Sequence, residues 1–307
     1  MDDAQRYLFD LQGWITIADA LDAARLATLN EEFDRRVAAV VPDDANSWRF
    51  GDILDWWPVW LDLIDNPRVS GVLEGILGPG FRLDHDYADL IRRGKGPIGT
   101  MLHGGATPFD YGQSYAVHDG QIRSGLVVVA YNLRYVNPGD GGFAGVAGSH
   151  KANFALPEDW KELEVDPPRP YVTPVTGPAG TAIVFTEAMS HGTLPWRGAG
   201  ERRTLFLKYN PHAIAWSARF YDRDRYPNLT ERQRAILEPP NARYGSRPTK
   251  EPAGCPARTA PGSRAAASGA IVYGVTVRNT TSVGLDVLPV VTAKRFENVD
   301  PWLDRPS

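Results

Sequence analysis

Apolar positions near the N-terminus recur every three or four residues. Leu26, Leu29, Phe33 and Val37 follow this spacing and predict an amphipathic helix over 19–40, with Asp19 as its N-cap. "GWITIAD" before it reads as a short strand. "PRVSGVLEGIL" predicts a second helix over 67–77, with Pro67 in its first turn and Gly78-Pro79 as its stop. From residue 81 the helical period disappears. "FRLDHDYADLI", "GTMLHGG", "RSGLVVVAYNLRYV", "RPYVTPVTG", "GTAIVFTE" and "RRTLFLKYNP" are short extended segments separated by Gly and Pro. That pattern predicts an antiparallel sandwich or barrel, mainly β with flanking α. Helical text resumes around 214–237, most clearly in "ERQRAILEP". Residues 245–270 are too rich in Ala, Pro, Gly, Ser and Arg to pack and predict a flexible loop. The last forty residues return to strand-like text, and there is no internal repeat, so a single domain over 1–307 is expected.

Composition narrows the function classes. The 307 residues are 43% hydrophobic and 23% charged, ordinary for a globular protein, with a net charge of -4. A chain with that charge has no global field for a nucleic-acid polymer or an anionic membrane. Cys255 is the only cysteine, which excludes an intramolecular disulfide and a Cys-rich zinc site. "MDDAQRYLFD" lacks the basic start and apolar stretch of a signal peptide. The longest apolar run, "GLVVVAYNL", is about half the roughly 20 residues of a membrane span, so a cytoplasmic protein is expected. Aromatic residues cluster in "SWRFGDILDWWPVW", which holds Trp48, Phe50, Trp56, Trp57 and Trp60. Such a cluster forms either packed core or the wall of a pocket for a flat ligand.

Of six histidines, His103 in "MLHGG" and His191 in "MSHGTLPW" stand at the edges of strand-like text, each beside glycine. "PGDGGFAGVAGSHKANF" followed by "AGTAIVF…SHGTLPW…ERRTLFLKYNP" resembles the phytanoyl-CoA dioxygenase-like family of Fe(II)/2-oxoglutarate enzymes. The opening "YLFDLQGWITIADALDAARLATLNEEF" is similar to that family's first strand and helix, and the resemblance runs from about residue 5 to about residue 215. It implies a double-stranded β-helix, a cupin-like jelly roll, that uses Fe(II), 2-oxoglutarate and O2. It makes His191 the distal iron ligand. Arg202, with Arg203 as the alternative register, becomes the grip on the far carboxylate of 2-oxoglutarate, and Thr193 a hydroxyl donor to that carboxylate. A guanidinium suits that task because its planar fork pairs with both carboxylate oxygens. His150 in "GSHK" is then structural.

The family's proximal His-x-Asp pair is where the chain departs. His103 has the extended context but Gly105 stands at the carboxylate position, whereas His118 is followed directly by Asp119. An adjacent residue on a strand faces the other way. Halogenase relatives of the family carry Gly or Ala at this position, and chloride occupies the vacated site on the metal. The resemblance therefore implies a halogenase in which His103 and His191 hold iron with chloride, Gly105 leaves the space, and a substrate carbon radical collects chlorine. The alternatives are a hydroxylase whose carboxylate comes from Asp110, Asp119 or Glu187, and a non-catalytic small-molecule-binding domain on the same fold. For substrate, Arg92, Arg93 and Lys95 form either a solvated turn or an anion clamp, to which Arg123, Arg134, Arg197 and Lys208 could add. With Trp48, Phe50, Phe109, Tyr111 and Asn132 this would suit a ring joined to a phosphate. The family includes halogenases of free nucleotides in chlorinated purine nucleoside antibiotic biosynthesis, so the resemblance implies an adenine nucleotide as substrate, with a carrier-free alkaloid or amino acid as the alternatives.

Overall fold

The computed structural model describes residues 1–56, 58–93 and 98–242, so the segments 245–270 and the last forty residues lie outside the described residues. In chain order the elements are α1 (Asp3–Gln12), β1 (Trp14–Ile17), α2 (Ala23–Val40), β2 (Ser47–Gly51), α3 (Pro67–Leu77) and β3 (Arg82–Ile91). Then follow β4 (Tyr115–His118), β5 (Gln121–Ser124), β6 (Val127–Asn132), β7 (Gly142–Gly145), β8 (Thr173–Pro174) and β9 (Ala182–Thr186). The described part closes with β10 (His191–Leu194), β11 (Arg202–Asn210) and α4 (Glu231–Ile236).

A six-stranded antiparallel sheet, ordered β1-β9-β6-β11-β3-β2, faces a smaller sheet ordered β10-β7-β8, and β4 and β5 form a separate hairpin. This is the expected mainly-β jelly roll with flanking helices. Both faces of the large sheet are covered, so its central strands read as continuous apolar text rather than alternating text. On β6, Val127, Val129 and Tyr131 join the core shared with Phe9, Leu29, Phe33, Leu73 and Ile76 of the helices. Val128 and Ala130 face the interior between the sheets, with Phe143, Ile183, Phe185 and Phe206. The same alternation on β11 sends Leu205 and Leu207 to the helices and Phe206 inward. Among the described residues no helix is long and apolar enough to cross a membrane.

Several expectations shift in detail. The long helix begins four residues later than read: Asp22, not Asp19, accepts a hydrogen bond from the Arg25 N–H, while Asp19 sits in a turn with φ 51°. The opening residues form α1, capped reciprocally by Asp2 and Gln5, ahead of the strand. "RPYVTPVTG" contributes only the two residues of β8, and the 214–237 region contains just one turn-and-a-half of α-helix, at α4. Trp56, Trp60 and Phe50 are buried against Phe33, with Phe50 and Trp56 edge to face at 5.0 Å. Trp48 packs partly buried on the same core, so Trp48 and Phe50 build the helix-side core rather than a pocket wall. On β2 the residues on either side of Arg49 point outward to the helices, which leaves Arg49 facing in.

Candidate active site

The two glycine-flanked histidines meet across a single antiparallel bridge. The His103 N–H donates to the His191 carbonyl and the His191 N–H to the His103 carbonyl, both at 2.9 Å, which places the rings side by side, 4.3 Å between centroids. Each Nδ1 lies against the carbonyl two residues earlier, His191 on Met189 at 2.7 Å and His103 on Met101 at 3.2 Å. With Nδ1–H donating, each Nε2 keeps its lone pair, the tautomer a metal requires. Burial, followed by the neighbouring His103, pushes His191 down to about 3, so its ring is neutral at physiological pH. Phe185 and Phe143 close one side of His191, with centroids at 4.7 and 5.9 Å.

Glu187 completes the cluster. It follows β9, its N–H bonded to the Leu126 carbonyl at 3.0 Å, and a turn closed by the Met189 N–H on the Thr186 carbonyl brings it back beside His191. His103, Glu187 and His191 each offer a ligand atom, and these atoms lie within 4.8 Å of one another; this is the only such trio among the described residues. One carboxylate oxygen is 2.7 Å from the Lys208 Nζ, and the other faces the His191 Nε2 at 3.8 Å. Burial alone would raise the Glu187 carboxyl, but Lys208 and then the two imidazoles hold it down to about 2. Glu187 is therefore an anion with one oxygen tied down and one turned to the histidines.

The glycines after His103 have a local cause. Gly104 has φ 77° and Gly105 φ 115°, so the chain leaves extended geometry at His103 and the alternation that would align position 105 with the histidine does not hold. A Cβ on Gly104 would lie 2.5 Å from the Met189 carbonyl oxygen and 2.6 Å from that of Glu187; one on Gly105 would lie 3.0 Å from the Ser190 Oγ. The glycines let this segment press against the turn that carries Glu187 and His191. Gly104→Ala should cost at least about 2 kcal/mol of stability, from positive φ and overpacking together. It should also weaken divalent-metal binding, since both displaced carbonyls belong to the turn carrying Glu187. Urea denaturation and a metal titration of the variant read the two effects.

Arg202 is the second pole of the site. It projects inward from β11, is 2% exposed, and none of its three guanidinium nitrogens has a hydrogen-bond partner among the described residues. Burial lowers it to about 10, so it remains a cation. Gly142 of β7 lies over it, where a Cβ would stand 3.2 Å from the Arg202 Nε. Nearby on the same face the Thr204 hydroxyl and both side-chain polar atoms of Asn132 are likewise buried and unpartnered. Thr204 and Asn132 are directly opposite in register. An unpaired buried charge is costly, so a cluster of this kind points to an absent anion. Arg203 faces the helices instead, bonded to Asp34 at 2.6 Å and to Glu201 at 2.7 Å, with its guanidinium 4.9 Å from the Phe33 ring. Thr193 shares the strand β10 and its parity with His191, half-buried, its N–H on the Gly99 carbonyl at 2.7 Å.

The other expected residues divide. His118 and Asp119 form the tip of the β4–β5 hairpin, and Asp110 accepts the Gly112 N–H at 2.6 Å within an exposed turn; none of them joins the histidine pair. His150 and Lys151 bond to the Asp10 carbonyl and tie "GSHK" to α1. Arg92 and Arg93 are not an anion clamp. Arg92 donates to the carbonyls of Pro42, Asp43 and Ala45, and Arg93 to those of Arg197 and Gly198, because both brace loops. Lys95 lies outside the described residues. Arg197 pairs with Asp166 at 3.2 Å, and Arg123 bonds Gln121 on the exposed hairpin. Phe109 and Tyr111 are 64% and 83% exposed and pack edge to face at 4.9 Å on the loop after "HGG". Thr204 was not anticipated, although the alternation of "RRTLFLKYN" puts it on the face of Arg202.

No protein-family model and no curated protein matches the chain. Solved structures do. HygX from Streptomyces hygroscopicus with nickel and 2-oxoglutarate bound superposes with a TM-score of 0.64 at 25% identity, covering 72% of this chain and 91% of that one. HygX with nickel, 2-oxoglutarate and hygromycin B bound gives 0.62 at 26% identity, covering 72% and 92%. HygX with iron bound gives 0.60 at 24% identity over 72% and 91%, a likeness of fold.

Proposed function

We propose that the chain is an Fe(II)- and 2-oxoglutarate-dependent oxidoreductase that oxidises a C–H bond of a small molecule, with His103, His191 and Glu187 as the iron ligands. The observation that carries this reading is the pairing of a two-histidine, one-carboxylate trio with a buried, unpartnered Arg202 on the facing strands. The trio is the donor set of non-haem iron sites that keep positions open for cosubstrate and O2. Arg202, with Thr204 and Asn132, would hold the far carboxylate of 2-oxoglutarate, an assignment that rests on their buried, unpartnered polar atoms, and the likeness to HygX with 2-oxoglutarate bound supports 2-oxoglutarate as the cosubstrate. Bound there, iron with 2-oxoglutarate and O2 would supply the oxidising power to remove hydrogen from an unactivated carbon. The chain's own residues do the positioning. Met189 and Met101 fix the imidazole tautomers, Lys208 holds the outer oxygen of Glu187, and Phe185 and Phe143 keep water from one side of His191. Because a carboxylate stands beside the histidines, oxygen transfer is the outcome this arrangement supports best.

Halogenation is the second reading. Gly105 offers no carboxylate, and the Glu187–Lys208 ion pair gives Glu187 a place to stay off the metal, which would leave a position for chloride. A nucleotide substrate loses the support it drew from Arg92, Arg93, Trp48 and Phe50, and keeps only the exposed pair Phe109 and Tyr111 on the loop after "HGG". Uncoupled 2-oxoglutarate turnover, which needs no prime substrate, tests the class. Turnover is expected to require Fe(II) and to be indifferent to replacing chloride with acetate. Absence of iron-dependent turnover refutes the class, and dependence on chloride would favour the halogenase.

A further inference from the structure

The interior of the six-stranded sheet carries a polar row across four strands. Arg49 on β2 is opposite Asp89 on β3, Asp89 is opposite Thr204 on β11, and Thr204 is opposite Asn132 on β6. Arg202 lies on the same face of β11, two residues from Thr204 and diagonal to Asp89. Diagonal cross-strand neighbours are within reach of long side chains. Asp89 is the main attractive charge on Arg202, and it is 4% exposed, yet the two form no ion pair. Both Asp89 oxygens are taken instead by Arg49, from Nε at 2.8 Å and from Nη2 at 3.0 Å. The Arg49 guanidinium itself lies over the Tyr87 ring, 4.4 Å from its centroid. Tyr87 in turn stacks on Phe206 at 4.7 Å.

The half-buried Arg49 and the buried Arg202 therefore lie near one buried anion, and the geometry gives both oxygens of that anion to Arg49. We propose that Arg49 is a positioning residue that holds Asp89 away from Arg202 and so keeps the Arg202 guanidinium vacant for the distal carboxylate of a linear dicarboxylate. This rests on the 2-oxoglutarate reading above. Without Arg49, Asp89 has one cation left to neutralise it, and it turns onto Arg202 and closes the cradle from within. The bidentate fork matters, because an ammonium at position 49 would leave one Asp89 oxygen free. The charge balance of the row explains why Arg202 stays unpaired in a protein that has an acid next to it.

The test is calorimetric titration of 2-oxoglutarate into the nickel-loaded full chain, comparing wild type with Arg49→Met, Asp89→Asn and the double variant. Arg49→Met is expected to bind at least about tenfold more weakly, about 1.4 kcal/mol. Asp89→Asn removes the competing anion and should bind more tightly than wild type. The double variant should bind within about threefold of Asp89→Asn alone, because without the acid Arg49 has nothing to hold, whereas additive effects would leave it about tenfold weaker than Asp89→Asn. A double variant as weak as Arg49→Met overturns the proposal, as does an Asp89→Asn variant weaker than wild type. The latter comparison stands by itself if Arg49→Met does not fold. A wild type that binds no 2-oxoglutarate at all sinks the underlying reading and this inference together, a result distinct from either variant pattern.

Discussion

Glu187→Gln is expected to lower turnover at least about a thousandfold, about 4 kcal/mol of transition-state stabilisation. The amide keeps the shape of the side chain and still accepts a hydrogen bond from Lys208, so the buried ammonium is not stranded as it would be by alanine. It removes the negative charge that turns toward the histidines, 3.8 Å from the His191 Nε2. Anaerobic titration with Fe(II) should show weaker metal binding, and uncoupled 2-oxoglutarate turnover should fall with it. Glu187 is also the residue on which oxygenation and halogenation part. If it ligates, its loss removes activity in any salt. If it stays on Lys208 while chloride binds, Glu187→Gln would retain chloride-dependent turnover, and that result would refute Glu187 as a ligand.

Arg202→Met should abolish measurable 2-oxoglutarate binding, a loss of at least about a hundredfold, about 2.7 kcal/mol. The same substitution should raise the stability of the ligand-free protein by about 1–3 kcal/mol, because it replaces an unpaired buried charge with an apolar chain of similar reach. Opposite signs in one variant make the test sharp. A guanidinium kept for packing would lose stability on substitution, whereas one kept for an anion gains it. Melting temperatures with and without 2-oxoglutarate read both effects. Wild type should gain stability with the logarithm of dicarboxylate concentration above its Kd, and the variant should melt higher but show no response.

The β architecture could be read from the chain because its strands are short, glycine-bounded and lie in a sheet covered on both faces. "GLVVVAYNL" and "TAIVF" are apolar throughout for that reason. Helix α3 was legible from Pro67 and Gly78 at its two ends. The start of α2 was misplaced because Asp19 and Asp22 are both good caps, and only the turn at Asp19 decides between them. At the site, the choice of Arg202 over Arg203 follows from strand parity once the inward face is known, and parity needs the fold. The carboxylate was harder. Glu187 was one of three acids considered, and a spacing of four residues from His191 signals proximity on a helix, whereas here a tight turn produces it. The reading of "HGG" assumed an extended strand through position 105, and the positive φ values of Gly104 and Gly105 end the strand at His103. Arg92 and Arg93 looked free because sequence does not reveal the backbone carbonyls that occupy them.

The two arginines that open β11 also restrict how this protein can vary. Arg202 points to the interior and Arg203 to Asp34 and Glu201, and the strand is paired on both sides, to β3 and β6. A one-residue insertion or deletion that slid β11 along its neighbours would exchange the two, bringing Leu205 and Leu207 into the cavity and Phe206 and Lys208 against the helices. The ion pairs of Arg203 make that slip expensive, so they act as a clutch on the ladder. Length changes in the turn before β11 must therefore be absorbed within the turn, leaving Arg202 opposite Ile91 and Thr204 opposite Asn132.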